Sequence, residues 1–135
     1  MRLKKAVARL IEWSRVCHVA TVGKSGAPHL VPVCHVLRDG KIYFGSDADA
    51  RKVLNLKANP RLAVSVDLYS DDWSNLKGVM VQGTTRLIER GPRFRRMRTL
   101  LYEKYPQYPE EAALGAADSV IVEVTPKNVF SWGLD

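Results

Sequence analysis

The stretch GKIYFGSDADARKVLNLKANPR, from Gly40 to Arg61, is the part of the sequence that decides the fold. Its first part, Lys41 to Phe44, has the composition of a short strand, and a small polar turn follows it. A helix is predicted from about Ala50 to Lys57, because an Asn-Pro dipeptide ends the pattern and disfavours further helix. The stretch therefore predicts a strand, a turn and a short helix in immediate succession.

Two adjacent cations, Arg51 and Lys52, begin this predicted helix. The helix dipole favours negative charge at that end, so a cation pair there suits an anion held between the side chains and the free backbone N–H groups. Ser46 in the turn adds a hydroxyl, and Gly45 lets the backbone approach a ligand closely. The pair predicts a phosphate site, although two solvated first-turn residues would give the same pattern.

Length and composition indicate a single domain, residues 1–135, of 15.2 kDa. The hydrophobic fraction of 46% is ordinary for a globular protein. Charged residues interrupt the first fifteen positions, so neither a signal peptide nor a membrane span is predicted there. We therefore expect a cytoplasmic protein.

The net charge of +7 raises the question of a nucleic-acid partner. Much of the excess lies in residues 2–15 and 86–98, where the pattern is helical and charges usually form a solvated face. Because no nucleic-acid-binding motif accompanies them, we expect no nucleic-acid partner and attribute the charge to an anionic ligand. The three histidines show no metal-ligand spacing, so no metal site is predicted.

The rest of the chain reads mostly as short strands joined by tight turns. Strands are predicted at 16–22, 29–37, 62–69, 79–88, 119–125 and 129–132, in addition to 41–44. Helices are predicted at 3–13, 50–57 and 92–105. This pattern predicts a mostly β fold, an antiparallel barrel of six to seven strands with outer helices. Side chains fill a barrel of this size, so a ligand would bind outside it or between the subunits of a homodimer.

The sequence resembles the flavin-binding split-barrel family related to pyridoxamine 5'-phosphate oxidase. The similarity rests on a strand ending in Phe44-Gly45-Ser46, the Arg51-Lys52 pair and Asn59-Pro60, together with Pro126 to Trp132 near the C-terminus. It extends over nearly the whole chain from Val16 onward. The resemblance implies an FMN-binding split β-barrel.

The resemblance also implies roles for individual residues. Arg51 and Lys52 would hold the FMN phosphate, assisted by Gly45 and Ser46. Trp132 would pack near the flavin of the other subunit of a homodimer. The residues that would border the flavin ring, largely through their backbone groups, are His29, Leu30, Val31, Pro32 and Val33. We expect hydride transfer between the flavin and a small-molecule substrate, and no catalytic side chain is identified.

Departures from the family pattern argue against pyridoxamine phosphate oxidation. A flavin-contacting glutamine of the oxidase is replaced by Gly78, and the chain ends at Asp135 without the motif that grips the vitamin phosphate. The segments Asp67 to Ile88 and Leu100 to Tyr108 resemble a subgroup of probable deazaflavin-dependent enzymes. A deazaflavin-dependent reductase and a non-enzymatic flavin or haem binder are therefore the alternatives.

Overall fold

Seven antiparallel strands form one curled sheet in the computed structural model, which describes residues 2–134. The strands are β1 (Cys17–Val22), β2 (Pro28–Val33), β3 (His35–Arg38), β4 (Lys41–Asp47), β5 (Arg61–Leu68), β6 (Lys77–Ile88) and β7 (Ser119–Trp132). The helices are α1 (Lys5–Trp13), α2 (Arg51–Ala58), α3 (Pro92–Lys104) and α4 (Tyr108–Glu111), with one 3₁₀ turn (Trp73–Asn75). The predicted mostly β, antiparallel split barrel with outer helices is confirmed.

The split of the barrel lies between β2 and β3. These strands occupy opposite edges of the sheet, in the order β2-β1-β5-β6-β7-β4-β3, yet only Cys34 separates them in the chain. The sheet must therefore curl until its two edges meet at this exposed residue. The single strand predicted over 29–37 is wrong, because its halves pair with different partners: Val33 with Cys17 and His35 with Phe44.

Two strands are longer than the sequence pattern indicated. β4 continues through Gly45 and Ser46, which the sequence placed in a turn, because both residues pair with the first part of β7. β7 is one strand of 14 residues, where two strands were predicted. A β-bulge in β7, opposite Gln82 and Gly83, lets the strand continue through residues 126–128, which interrupt the alternating pattern of the sequence.

The inward-facing residues of the sheet form the main core. Val19, Val64 and Val81 lie side by side on β1, β5 and β6 and are fully buried. The apolar faces of α1 and α2 join this cluster through residues such as Ile11 and Val53. Burying side chains of this size contributes roughly 1.5–3 kcal/mol each, so both helices are held on the barrel by the same core.

A buried carboxylate fixes α3 on the outside of the barrel. Glu123 of β7 accepts hydrogen bonds from Arg93 of α3 and from the Tyr43 hydroxyl of β4, the latter at 3.1 Å, and its other oxygen lies 3.7 Å from the Lys41 ammonium. Burial by itself would raise the pKa of Glu123, but these partners lower it below its usual value.

Within residues 2–134 no helix is long and apolar enough to cross a membrane.

His35 is a fully buried imidazole at the junction of α1, β3 and α3. Its Nε2 lies 2.8 Å from the Ile11 carbonyl oxygen, while its Nδ1 has no hydrogen-bond partner. The Tyr105 hydroxyl accepts a hydrogen bond from the His35 backbone N–H at 2.9 Å. The pKa of His35 is lowered to about 4, mainly by burial; the Ile11 contact opposes this shift and nearby Lys104 adds to it. The ring is therefore neutral at physiological pH.

The buried state of His35 predicts an acid-sensitive fold. The unfolded chain takes up this proton near pH 6.5 and the folded chain only near pH 4, so stability is lost as the pH falls through that interval. We expect the free energy of unfolding to drop by about 3 kcal/mol more in the wild type than in His35→Gln. Urea denaturation from pH 7 to pH 4 measures this, with exposed His18→Gln as the control. Equal pH dependence in wild type and His35→Gln would contradict it.

Candidate functional site

The N-terminus of α2 combines two cations with two free backbone donors. Arg51 is exposed and Lys52 partly buried, and no acidic side chain lies in the first turn. The N–H groups of Val53 and Leu54 bond to the Ala50 carbonyl, whereas those of Arg51 and Lys52 have no acceptor among residues 2–134. Ala50 supplies no side-chain cap. This donor set fits an anion and, in particular, a phosphate.

A cleft of about 500 Å³ lies beside this helix end, between α2 and the turn that joins β1 to β2. Two further cations line it, Lys24 from the turn and Lys57 from the last turn of α2. No carboxylate is among the described residues of the cleft. Its lining residues are Lys24, Ser25, Arg51, Leu54, Asn55, Lys57 and Ala58. The cleft therefore extends the positive charge of the helix end toward the β1–β2 turn.

A buried hydrogen bond holds α2 against the β1–β2 hairpin. The Asn55 side-chain amide donates to the Thr21 hydroxyl at 3.0 Å, and both residues are buried. Gly23 makes this approach possible, because a Cβ at that position would clash with the Asn55 amide oxygen. The sequence analysis missed Lys24 and Lys57: this tertiary contact places Lys24 beside α2, and Lys57 lies on α2 itself. Two features of the sequence could have indicated this contact: Gly23 after β1 and Asn55 on the buried face of α2.

The strand expected to border the flavin ring, β2, is an edge strand paired only with β1. About half of its backbone groups therefore point away from the sheet. Leu30, with 65% of its surface exposed, and Pro32 face outward, while Val31 and Val33 pack against the core. The Nδ1 atom of His29 is buried without a partner. Free backbone groups and an unpaired ring nitrogen are compatible with a ligand along this edge.

Gly45 and the Ser46 side chain both make close contacts within the chain. The Ser46 hydroxyl is buried and donates to the neighbouring Asp47 carbonyl at 3.0 Å. A Cβ at Gly45 would lie 2.7 Å from the Leu114 side chain, so the glycine accommodates the segment after α4. In this conformation the Ser46 hydroxyl is not free to donate to a ligand.

Trp132 lies at the far end of β7 from the start of α2. Its indole covers Gly78, where any Cβ would clash with the ring, and 44% of the residue remains exposed. Ser46, just before α2, pairs with Val120 at the opposite end of the same strand. Twelve residue steps lead along the strand from Val120 to Trp132, a contour of about 40 Å. The structure thus brings the start of α2 and the β1–β2 turn together and leaves Trp132 apart from them.

Comparison with known proteins gives a match over nearly the entire chain. The family model described as "Pyridoxamine 5'-phosphate oxidase" matches residues 3–133. No curated protein matches significantly.

Solved structures share the fold at low sequence identity. The haem storage protein HutZ from Vibrio cholerae has a TM-score of 0.80 at 16% identity, over 96% of this chain and 94% of that one. An FAD-binding protein from Mesorhizobium loti has a TM-score of 0.78 at 22% identity, over 96% and 94%. A structure called F420 reductase has a TM-score of 0.76 at 24% identity, over 95% and 98%. At these identities the likeness shows the fold alone.

Proposed function

The chain belongs to the pyridoxamine 5'-phosphate oxidase family, and we propose that it is an FMN-binding oxidoreductase, a homodimer with a cofactor site at each end of its interface. The observation that carries the proposal is the start of α2, where Arg51, Lys52 and two free backbone N–H groups meet and the first turn contains no acidic residue. Family members that bind flavins make FMN the natural source of the phosphate. We also propose that the protein is cytoplasmic and acts on a small-molecule substrate.

Arg51 and Lys52 would bind the FMN phosphate through charge-assisted hydrogen bonds, and the free amides of the first helical turn would complete its coordination. The planar guanidinium of Arg51 can donate two hydrogen bonds to one phosphate, whereas the Lys52 ammonium acts as a point charge. His29 to Val33 would then line the ring through the open edge of β2. The hydroxyl of Ser46 would have to leave the Asp47 carbonyl to join them.

The position of Trp132 supports a site shared between two subunits. Trp132 lies at the opposite end of β7 from Val120, which pairs with Ser46 ahead of α2, so we assign the indole that closes a flavin held by Arg51 to the partner subunit. A second copy related by two-fold symmetry would bring its Trp132 to that ring. The outer face of the sheet favours such an assembly, since Phe130 is 70% exposed there and Leu30 is exposed on the same face.

Bound flavin would supply the redox chemistry as a hydride carrier. The chain's own contribution is to anchor the phosphate, fix the ring along β2 and exclude water with an indole from the partner. The Nδ1 of His29 on β2 is buried without a partner, so this imidazole can hydrogen-bond to a ring edge or to a substrate through its Nε2, or through Nδ1 after the ring turns outward.

Removal of the two anchoring cations should abolish tight FMN binding. Charge-assisted hydrogen bonds contribute roughly 1.5–3 kcal/mol each, so Arg51→Ala with Lys52→Ala should weaken FMN at least about 100-fold. Fluorescence quenching of FMN during titration measures the affinity. Far-ultraviolet circular dichroism and light scattering should report an unchanged fold and mass, because both side chains lie outside the core.

The matched control removes two cations from a helix elsewhere. Arg95 and Arg96 on α3 are exposed and form no ion pair within residues 2–134. Their double replacement by alanine lowers the net charge equally and should leave FMN affinity unchanged. Equal losses in the two double variants would mean that net charge, and not a phosphate site, governs binding.

A Soret band in the absorbance spectrum of the purified protein would instead identify a haem binder.

A deazaflavin coenzyme is the second candidate cofactor. It carries a phosphate and an acidic oligoglutamyl tail, and the cleft beside Arg51 offers further cations, Lys24 and Lys57, with no carboxylate among its described lining residues. FMN has no tail to use these lysines. The same phosphate anchor serves both cofactors, so the lysines distinguish them.

Replacement of both lysines by alanine tests this alternative. If the deazaflavin coenzyme is the physiological cofactor, Lys24→Ala with Lys57→Ala should weaken it about 10-fold or more and leave FMN affinity unchanged. Isothermal titration of both cofactors against both proteins measures the difference. Tighter binding of FMN than of deazaflavin by the wild type, with no effect of the lysines on either, would reject the alternative.

A further inference from the structure

We propose that a groove beside α1, at one end of the barrel, binds a medium-chain fatty acid through its alkyl chain and its carboxylate. The groove has a volume of about 460 Å³. It lies between α1, the last residue of β5, the first residue of β6 and the two residues that follow β7. Small-molecule sites usually have volumes of about 300–1,000 Å³, so the groove is large enough for such a ligand.

The groove lies on the inward side of the sheet, opposite the face proposed for the homodimer. Leu68 of β5 pairs with Lys77 of β6, and both line the groove. Side chains alternate along a strand, so Leu68 continues the row that contains buried Val66, and Lys77 continues the row that contains buried Val79. The Trp132 indole packs over the other face of the sheet. A partner subunit on that outer face therefore leaves the groove open.

The groove is also separate from the proposed phosphate site. The C-terminal end of α2 leads into Arg61, the first residue of β5, whereas the groove lies at the last residue of the same strand. No residue of α2 or β2 is among its described lining residues. The inference therefore does not rest on the FMN proposal.

One face of α1 forms the apolar wall of the groove. Ala6, Leu10 and Trp13 line it with the spacing i, i+4, i+7, which places them on one side of the helix. Leu10 is anchored in the main core, whereas Trp13 is 67% exposed and Leu68 is 37% exposed. An alkyl chain lying along these side chains would remove their exposed surface from water.

Arg9 and Lys77 supply the charge of the groove. Arg9 lies on α1 one turn before Trp13, and Lys77 is the first residue of β6. Neither cation forms an ion pair within residues 2–134, and no carboxylate is among the described lining residues. Two such cations beside an apolar wall favour an amphiphile with one anionic head group, and a fatty acid has this combination.

The test compares octanoate with octanamide, which has the same chain without the charge. Isothermal titration against the full-length wild-type protein should show octanoate binding about fivefold tighter or more. Decanoate should bind about threefold tighter than octanoate or better, because it buries two more methylene groups. Arg9→Ala with Lys77→Ala should bring the octanoate and octanamide affinities within twofold of each other.

Two further variants test the apolar wall. Ala6→Trp keeps both cations and fills the groove, so it should weaken octanoate and octanamide about tenfold or more. Trp13→Ser removes an exposed apolar side chain without touching the core, so it should weaken both compounds while the preference for the anion remains.

Two controls separate the groove from other sources of anion affinity. Arg95→Ala with Arg96→Ala should leave octanoate affinity unchanged, which excludes an effect of net charge. Arg51→Ala with Lys52→Ala should also leave it unchanged, whether or not the FMN proposal holds. A loss of octanoate affinity in that variant would place the carboxylate at the start of α2 and overturn the inference. Absence of octanoate binding at millimolar concentration, or equal affinity in the wild type and in the groove variants, would also overturn it.

Discussion

The pairing of β7 with both β4 and β6 is the constraint on which the rest of the structure depends. This 14-residue strand joins the two halves of the sheet, contributes Val122 and Val124 to the main core and carries Glu123, which fixes α3. Its first residues extend β4 to the start of α2, and its last residue is Trp132. A strand has a fixed rise per residue, so β7 also sets the distance between the two parts of the proposed flavin site.

The distribution of charge gives the excess of cations a physical explanation. Both ion pairs within residues 2–134 involve one carboxylate, Glu123, so most basic side chains have no acidic partner in this structure. Two groups of them border clefts: Arg51 with its neighbours along α2, and Arg61 with Lys127 beside the bulge. Unpaired cations around a concave surface raise the local concentration of anionic ligands. Such a surface suits a phosphate-bearing cofactor.

The fold class and the helix that begins at Arg51 could be predicted because they rest on local patterns. The alternation in β5 and β6 and the Asn59-Pro60 stop signal are visible in the sequence alone. The long-range pairing of strands could not be predicted. Ser46 lies in a strand because it pairs with β7, and the bulge at Lys127 joins two segments that the sequence pattern presents as separate strands. The break at Cys34 likewise follows from the curl of the sheet. Lys24 joins the cleft only through the contact between Asn55 and Thr21, which no local pattern reveals.

Subunit complementation tests the shared flavin site most directly. One variant carries Arg51→Ala and Lys52→Ala, the other carries Trp132→Ala, and each homodimer should bind FMN weakly. After the subunits exchange, half of the dimers are mixed and one of their two sites has all of its native residues, so about a quarter of all sites should regain wild-type affinity. Quenching of FMN fluorescence counts these sites. Wild-type affinity of the Trp132→Ala variant alone, or no high-affinity sites in the mixture, would contradict a site built from two subunits.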